Sequence, residues 1–208
     1  MAKEYWKPGN MLYPVPAVMV RCGREEETPN IVTVAWAGTI CSDPAMVSIS
    51  VRKERFSHDI IKDTGEFVIN LVNKKLVRAT DYCGVKSGRD VDKFAETRLT
   101  PQKSRYVKAP GIEESPVNIE CKVVEIKELG SHDMFIAKVM GVTIDNQYMD
   151  DRGKFNLNAS GLVSYSHGEY FELGKKLGSF GYSVKKTIKK RKTSAAPAKK
   201  GRNTSKKK

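Results

Sequence analysis

Ser50, Arg52, Arg55 and Ser57 lie within eight residues, where an alternating stretch gives way to Phe56-Ser-His-Asp-Ile-Ile61. Two hydroxyls and two guanidiniums at the start of a helix make an anion site. The first backbone N–H groups of a helix are free, and its dipole favours negative charge there. Ser57 is the expected N-cap; Ile60 would then occupy N3, so no capping box forms. Upstream, Val32, Val34 and Trp36 alternate with Ile31, Thr33, Ala35 and Ala37. The second face is thin, and small residues with a following glycine let a flat ligand approach the backbone. A planar ring carrying a phosphate would fill both features at once. An ordinary hairpin followed by a serine-capped helix explains the same residues without a ligand.

Flavin mononucleotide (FMN) is a planar ring with a phosphate tail. Such a cofactor carries its own reactivity and leaves the protein to stack, orient and tune it. Other chemistries are poorly served. There are three histidines, with no H-x-x-x-H pair, no Ser-His-Asp grouping and no Walker motif. Asp90 and Asp92 sit among cations, so a glycosidase-type carboxylate pair is not indicated. Cys22, Cys41, Cys83 and Cys121 show neither C-x-x-C nor metal-ligand spacing, and a reducing compartment would keep them as thiols. The loop from Asp81 to Lys93 could also close over a phosphate, since Gly84 and Gly88 permit tight turns and Lys86, Arg89 and Lys93 supply cations; a solvated surface loop explains Lys86 and Arg89 equally. His132 follows Gly130-Ser131 at a hairpin tip. His58 and His167 read as structural.

The elements that must position these residues follow from periodicity. Asn30 to Gly38 reads as one strand, Cys41-Ser-Asp-Pro44 as a turn, and Met46 to Arg52 as a second strand with Val47, Ile49 and Val51 on one face. The helix from Ser57 ends near Gly65, a C′ glycine. Phe67 to Leu71 is a short strand, and Lys74 to Ala79 a short helix. Pro14 and Pro16 restrict Leu12 to Val20 to an edge or to chain entering a strand. Val117, Ile119, Cys121 and Val123 alternate, and Val124 and Ile126 shift the phase, which predicts a bulge. Met134 to Ile144 returns as a long strand, and Leu162 to Tyr165 is a last short one. Residues 145–161 and the glycine-rich stretch after Gly168 carry no firm pattern.

The net charge of +13 belongs to one end of the 208-residue chain. Residues 185–208 hold twelve Lys or Arg and no acid, leaving a body with 25 basic and 24 acidic residues. The expected organisation is one domain over 1–184 and a disordered basic tail over 185–208, able to bind polyanions weakly and salt-dependently. No apolar run reaches the roughly 18–20 residues of a membrane span, and the amino end shows no secretory h-region, so the expected location is cytoplasmic.

Several ordered motifs carry a resemblance. They are Asn30-Ile-Val-Thr-Val-Ala-Trp-Ala-Gly38, Cys41-Ser-Asp-Pro44, Val51-Arg-Lys-Glu-Arg-Phe-Ser57 and Gly65-Glu-Phe-Val-Ile-Asn70. Further along stand Asp81-Tyr-Cys-Gly through Lys93-Phe94, Glu128-Leu-Gly-Ser-His-Asp133 and Ser164-Tyr-Ser-His-Gly-Glu169. Over about residues 8–184 the chain resembles the flavin reductase-like, FMN-binding split-barrel family, nearest its flavoredoxin branch. The resemblance implies a mainly β fold, a β-barrel with a few helices, and bound FMN. Asn30, Ile31, Thr33, Ala35 and Trp36 would line the ring; Ser50, Arg55, Ser57 and Lys93 would hold the phosphate. His132 would contact flavin or nicotinamide, and Tyr165 would cap the ring. It also implies a homodimer with the flavin in a groove between subunits. Three activities stay open: an NAD(P)H-dependent flavin reductase, an electron carrier reduced by a protein partner, and a non-enzymatic flavin- or polyanion-binding module.

Overall fold

The structure is a computed structural model that describes residues 1–23 and 29–185. Alternating segments become β1 (Val15–Pro16), β2 (Val18–Cys22), β3 (Asn30–Val34), β4 (Ala37–Ser42) and β5 (Ala45–Arg52). Helix α1 (Phe56–Thr64) leads into β6 (Glu66–Leu71), and α2 (Val77–Val85) and α3 (Lys93–Thr97) follow. The rest is β7 (Pro101–Gln102), β8 (Gly111–Ile112), β9 (Val117–Glu128), β10 (His132–Ile144), β11 (Val163–Ser166) and β12 (Glu169–Glu172). The mainly β class expected above is what forms.

Seven strands make one antiparallel sheet in the order β3-β2-β6-β9-β10-β5-β4. Its two outermost strands, β3 and β4, are consecutive in the chain, with only Ala35 and Trp36 between them. So short a link brings the two edges of the sheet together. The sheet therefore curls into a barrel whose seam lies at Ala35–Trp36. On its β4 side the Ser50 N–H donates to the Trp36 carbonyl at 2.8 Å, continuing the β4–β5 ladder one position past Ala37–Ile49. Inward-facing Val18, Val20, Val32, Val34, Val47, Ile49, Val51, Phe67 and Phe135 fill the barrel. On the outside, Met19, Ile31, Val72, Leu76, Cys83 and Phe94 form a second core, joining β2 and β3 to α2 and α3. β3 is thus buried on both faces, its apolar Ile31, Val32 and Val34 packed and its polar Asn30 and Thr33 hydrogen-bonded to Ser57 and to the Thr80 carbonyl.

The long hairpin of β9 and β10 has the predicted irregularity. Ile136 pairs with Glu125 and Ala137 with Val123, so Val124 is the extra residue. Gly65 adopts φ 67° after α1, and its N–H donates to the Ile61 carbonyl at 2.9 Å, as a terminating glycine should.

Three expectations are corrected. Asn30 to Gly38 is not one strand but two, broken at Ala35–Trp36, because alternation continues across a change of sheet edge. Ser57 does not cap α1; Arg55 holds that position, and Ser57 is buried inside the first turn. The helix expected over Lys74 to Ala79 is a short 3₁₀ turn at Lys74–Leu76 followed by α2, which runs on into the expected loop as far as Val85. The placement expected for Pro14 and Pro16 holds: both precede β2, which is an interior strand, and Pro16 lies in β1 at the edge of the sheet β1-β11-β12.

The chain divides into two units, Met1–Leu173 and Gly174–Lys208. The first holds every strand among the described residues; the second has a 3₁₀ turn at Tyr182–Val184. The expected disordered tail, apart from Lys185, lies outside the described residues. Among the described residues no helix is long and apolar enough to cross a membrane.

Candidate functional site

Three clefts meet at the barrel seam, and Ala35 borders all of them. The largest, about 680 Å³, runs over Ala35, Trp36, Ala37, Gly38, Ser48 and Ser50 and is walled by Met11, Leu12 and Val15. Its floor is low because β4 opens with alanine and glycine. A Cβ added to Gly38 would meet nothing within 4 Å, so the strand faces open space there. The second cleft, about 140 Å³, lies between Thr33, Ala35, Trp36, Ser50, Arg52, Arg55 and His132. The third, about 250 Å³, is bordered by Thr33, Ala35, Asp81, Gly84, Val85, Tyr165 and Tyr170.

Seven of the residues expected at a site therefore line one continuous groove: Thr33, Ala35, Trp36, Ser50, Arg55, His132 and Tyr165. Topology explains the convergence. His132 pairs with Arg52 across β10 and β5, so the hairpin tip lies over the strand end that carries the arginines. Arg55 is the residue before α1 and reaches across to α2, where its Nη1 donates to the Gly84 carbonyl at 3.0 Å. Trp36 is braced by Tyr13, whose ring centroid is 6.0 Å away.

Asn30, Ile31, Ser57 and Lys93 border none of the three clefts and are all buried. Asn30 Nδ2 donates to Ser57 Oγ at 2.6 Å, tying β3 to α1. Asp92 caps α3 by accepting from the Phe94 and Ala95 N–H groups, which turns Lys93 inward. Its ammonium donates to the carbonyls of Ile31 at 2.6 Å and Cys83 at 2.8 Å. Lys93 thus clamps α2 onto β3, with its charge on backbone carbonyls. Burial pushes its pKa down, and Arg55 adds to the effect against the opposing influence of Cys83.

Electrostatics at the open end favour an anion. Arg55 and His132 converge with Ser50, close to the first turn of α1, and Arg52 borders the same cleft while forming a surface ion pair with Glu54 at 3.2 Å. Burial and the neighbouring Arg52 charge push the His132 pKa down, while Glu54 opposes them. Its Nδ1 lies 2.8 Å from Ser131 Oγ. Behind this end, His58 bridges Asp59 and the buried Asp133, each at 2.9 Å, and Lys53 joins Asp133 at 3.3 Å. Burial raises the Asp133 pKa, but the hydrogen bonds from His58 and Lys53 outweigh it and hold the carboxyl below its usual value. The buried thiols are no nucleophiles: burial pushes Cys22 and Cys83 up to about 11 and Cys121 to about 12.

Sequence reasoning missed Ser48, Asp81 and Tyr170 as groove residues. Ser48 and Ser50 share a face of β5, so the period of two was signal enough for Ser48. Asp81 and Tyr170 are 89 positions apart and meet only through the fold, Tyr170 donating its hydroxyl to Asp81 at 3.3 Å.

Comparison with known proteins agrees with this architecture. Flavoredoxin of Desulfovibrio vulgaris (Miyazaki F) superposes with a TM-score of 0.81 at 32% identity, covering 88% of this chain and 100% of that one. Flavoredoxin from Methanosarcina acetivorans gives a TM-score of 0.79 at 25% identity, again over 88% and 100% of the two chains. An uncharacterized protein of Pyrococcus abyssi is 32% identical over 160 residues, 77% of this chain and 91% of its own. Residues 10–174 match the family described as "Flavin reductase like domain". The chain belongs to the flavin reductase-like family and has its split-barrel fold.

Proposed function

We propose that this protein binds FMN across the barrel seam and transfers hydride from NAD(P)H to the flavin. The observation that carries this reading is the continuity of the groove. A cleft of about 680 Å³ with an alanine–glycine floor passes, through shared Ala35, Trp36 and Ser50, into a small cationic cleft beside Arg52, Arg55 and His132. That volume lies in the usual range for a cofactor pocket, about 300–1,000 Å³. The residues present fit the group: the floor admits a ring close to the backbone, and the cationic end suits a phosphate.

Bound flavin would supply the two-electron chemistry. The chain's own part is positional. Trp36, braced by Tyr13, walls the ring. Ser50 Oγ and the Arg52 and Arg55 guanidiniums take the anionic tail. His132 closes the far wall. Lys93, Asn30 and Ser57 act from beneath, fixing β3 to α1 and α2 so that the floor keeps its shape. As a homodimer, the protein would cover its exposed amino-terminal Tyr5, Trp6 and Leu12 and complete the groove's open side.

A second reading is an electron carrier with permanently bound FMN, reduced by a protein partner. The likeness to two flavoredoxins favours it. One experiment separates the two. The protein is purified without added flavin, its visible spectrum is recorded, and NADH or NADPH is added anaerobically with and without excess FMN. Nucleotide oxidation that depends on the protein and on flavin is expected for the reductase. Retained yellow colour that neither nucleotide bleaches would replace it with the carrier. Absence of any flavin binding would end both.

A further inference from the structure

A fourth cleft, of about 380 Å³, opens where β9 begins and β10 ends, and shares no residue with the three at the seam. At about 3.3 Å per residue, Thr143 on its wall lies roughly 35 Å along β10 from His132. No Lys, Arg or His borders this cleft, whereas Glu113 and Asp145 do. The Glu113 carboxylate has no hydrogen-bond or ion-pair partner among the described residues. Asp145 accepts through Oδ1 from the Gln147 N–H at 3.0 Å and through Oδ2 from the Gln147 side-chain amide. The same cleft is bordered by Asn118, only 4% exposed. Its Nδ2 is turned inward and donates at 2.8 Å to both Asn70 Oδ1 and the Ile112 carbonyl. Asn70 Oδ1 also accepts from the Ile112 N–H at 2.9 Å, which fixes the amide's orientation. A Cβ added to Gly111 would lie 2.3 Å from Asn118 Nδ2, so the glycine makes room for this network. With both amide N–H groups committed, Asn118 Oδ1 is left for the cleft and accepts from no described residue.

We propose that this cleft binds a small organic ammonium ion, whose N–H groups donate to Asn118 Oδ1 and whose charge is balanced by Glu113 and Asp145. What these three side chains offer is acceptors alone. The Ser115 hydroxyl beside them adds no free donor, since it is committed to the Leu71 and Val117 carbonyls at 2.9 and 2.8 Å. An anion would meet two carboxylates and no cation. A neutral alcohol could donate to the same oxygens but would gain nothing from their charge. A bare metal ion is poorly served: the described residues hold no group of three or more His, Cys, Asp and Glu suited to one. The volume also exceeds tenfold the about 30 Å³ that a single water occupies. An alkylammonium supplies compact charge, three N–H donors and a carbon chain to fill the space. Two carboxylates on separate segments favour a chain charged at both ends. The volume falls within the range of about 300–1,000 Å³ for small-molecule sites.

The test titrates the full chain with 1,4-diaminobutane and, in parallel, with 1,4-butanediol, tetramethylammonium and magnesium ion. Binding is followed by NMR at the Asn118 side-chain amide, with the Gly38 backbone amide as the reference at the seam. The diamine is expected to shift the Asn118 resonances saturably, with a Kd on the order of 1 mM, and to leave Gly38 in place. The diol lacks the charge and tetramethylammonium lacks the N–H groups, so both should bind more weakly. Glu113→Gln and Asp145→Asn should each weaken the diamine about 2- to 5-fold, as for a solvent-exposed ion pair. Position 113 is exposed, and asparagine at 145 keeps an oxygen for the Gln147 N–H, so both variants should fold, with circular dichroism as the check. No saturable shift at Asn118, the diol or tetramethylammonium matching the diamine, magnesium binding there more tightly than the diamine, or parent-like affinity in either variant would each overturn the proposal.

Discussion

Lys93 shows how a residue's type and its task can part. An invitingly placed lysine after a glycine-rich loop suggests a phosphate ligand, but the capped start of α3 points it inward onto two carbonyls. Removing it leaves those carbonyls buried and unpaired, at about 1–3 kcal/mol each. Lys93→Ala should therefore lower stability by about 2–4 kcal/mol in urea denaturation, with any loss of FMN affinity secondary to it. A variant of native stability with impaired FMN binding would put the ammonium in the cleft instead. His132 gives a pH signature. Its folded pKa is lower than the usual 6.5, so as pH falls through 6.5 the unfolded chain takes up the proton first and stability declines. A phosphate bound beside it reverses the preference. FMN binding near pH 6.5 should take up protons, seen as a calorimetric enthalpy that changes with the ionisation heat of the buffer. His132→Gln should remove that dependence; if it persists in full, His132 is not at the phosphate.

At the scale of elements, much of the fold was legible wherever one face is apolar and the other is not. Val47, Ile49 and Val51 marked β5, the phase slip at Val124 marked the bulge, and Gly65 marked the end of α1. The site was less legible, because it is made by a break that alternation does not record. Residues 30–38 keep a period of two while passing from one edge of the sheet to the other. Ser57 looked like a cap because hydroxyls are good caps, but the helix starts two residues earlier, capped at Arg55, and the hydroxyl accepts from Asn30. Two glycines test the resulting picture. Gly38 faces open groove, so Gly38→Leu should cut FMN affinity by at least about tenfold, about 1.4 kcal/mol, with the melting temperature held or raised. Undiminished flavin binding would remove β4 from the site. At Gly88 an added Cβ would collide with Asn30 Oδ1, whose side chain is tied to Ser57. Gly88→Ala should cost about 1–3 kcal/mol of stability through the loop between α2 and α3, measured by chemical denaturation.

Across the whole molecule, charge and shape are separable. Deleting residues 185–208 takes the formal charge from +13 to +1, since all twelve basic residues there go and no acid does. Salt-sensitive retention on a polyanion resin should disappear with them, while the flavin titration stays the same. Shape depends on the seam. Two residues join the outermost strands of a seven-stranded sheet, and the three clefts meet where that short link forces the edges together. Inserting two glycines between Ala35 and Trp36 should barely change the free energy of folding. Loop closure costs only about 0.6 kcal/mol per doubling of length, and the ladder bonds of β3 with β2 and of β4 with β5 are untouched. The same insertion keeps the Ser50 N–H on the Trp36 carbonyl, a bond that continues the β4–β5 ladder, but it moves Trp36 and Ser50 away from Ala35. Circular dichroism and urea midpoints should therefore stay near those of the parent while FMN affinity falls well beyond tenfold. Parent-like affinity in that variant would show that flavin is held elsewhere on the barrel, since no site built on Ala35, Trp36 and Ser50 together could survive their separation.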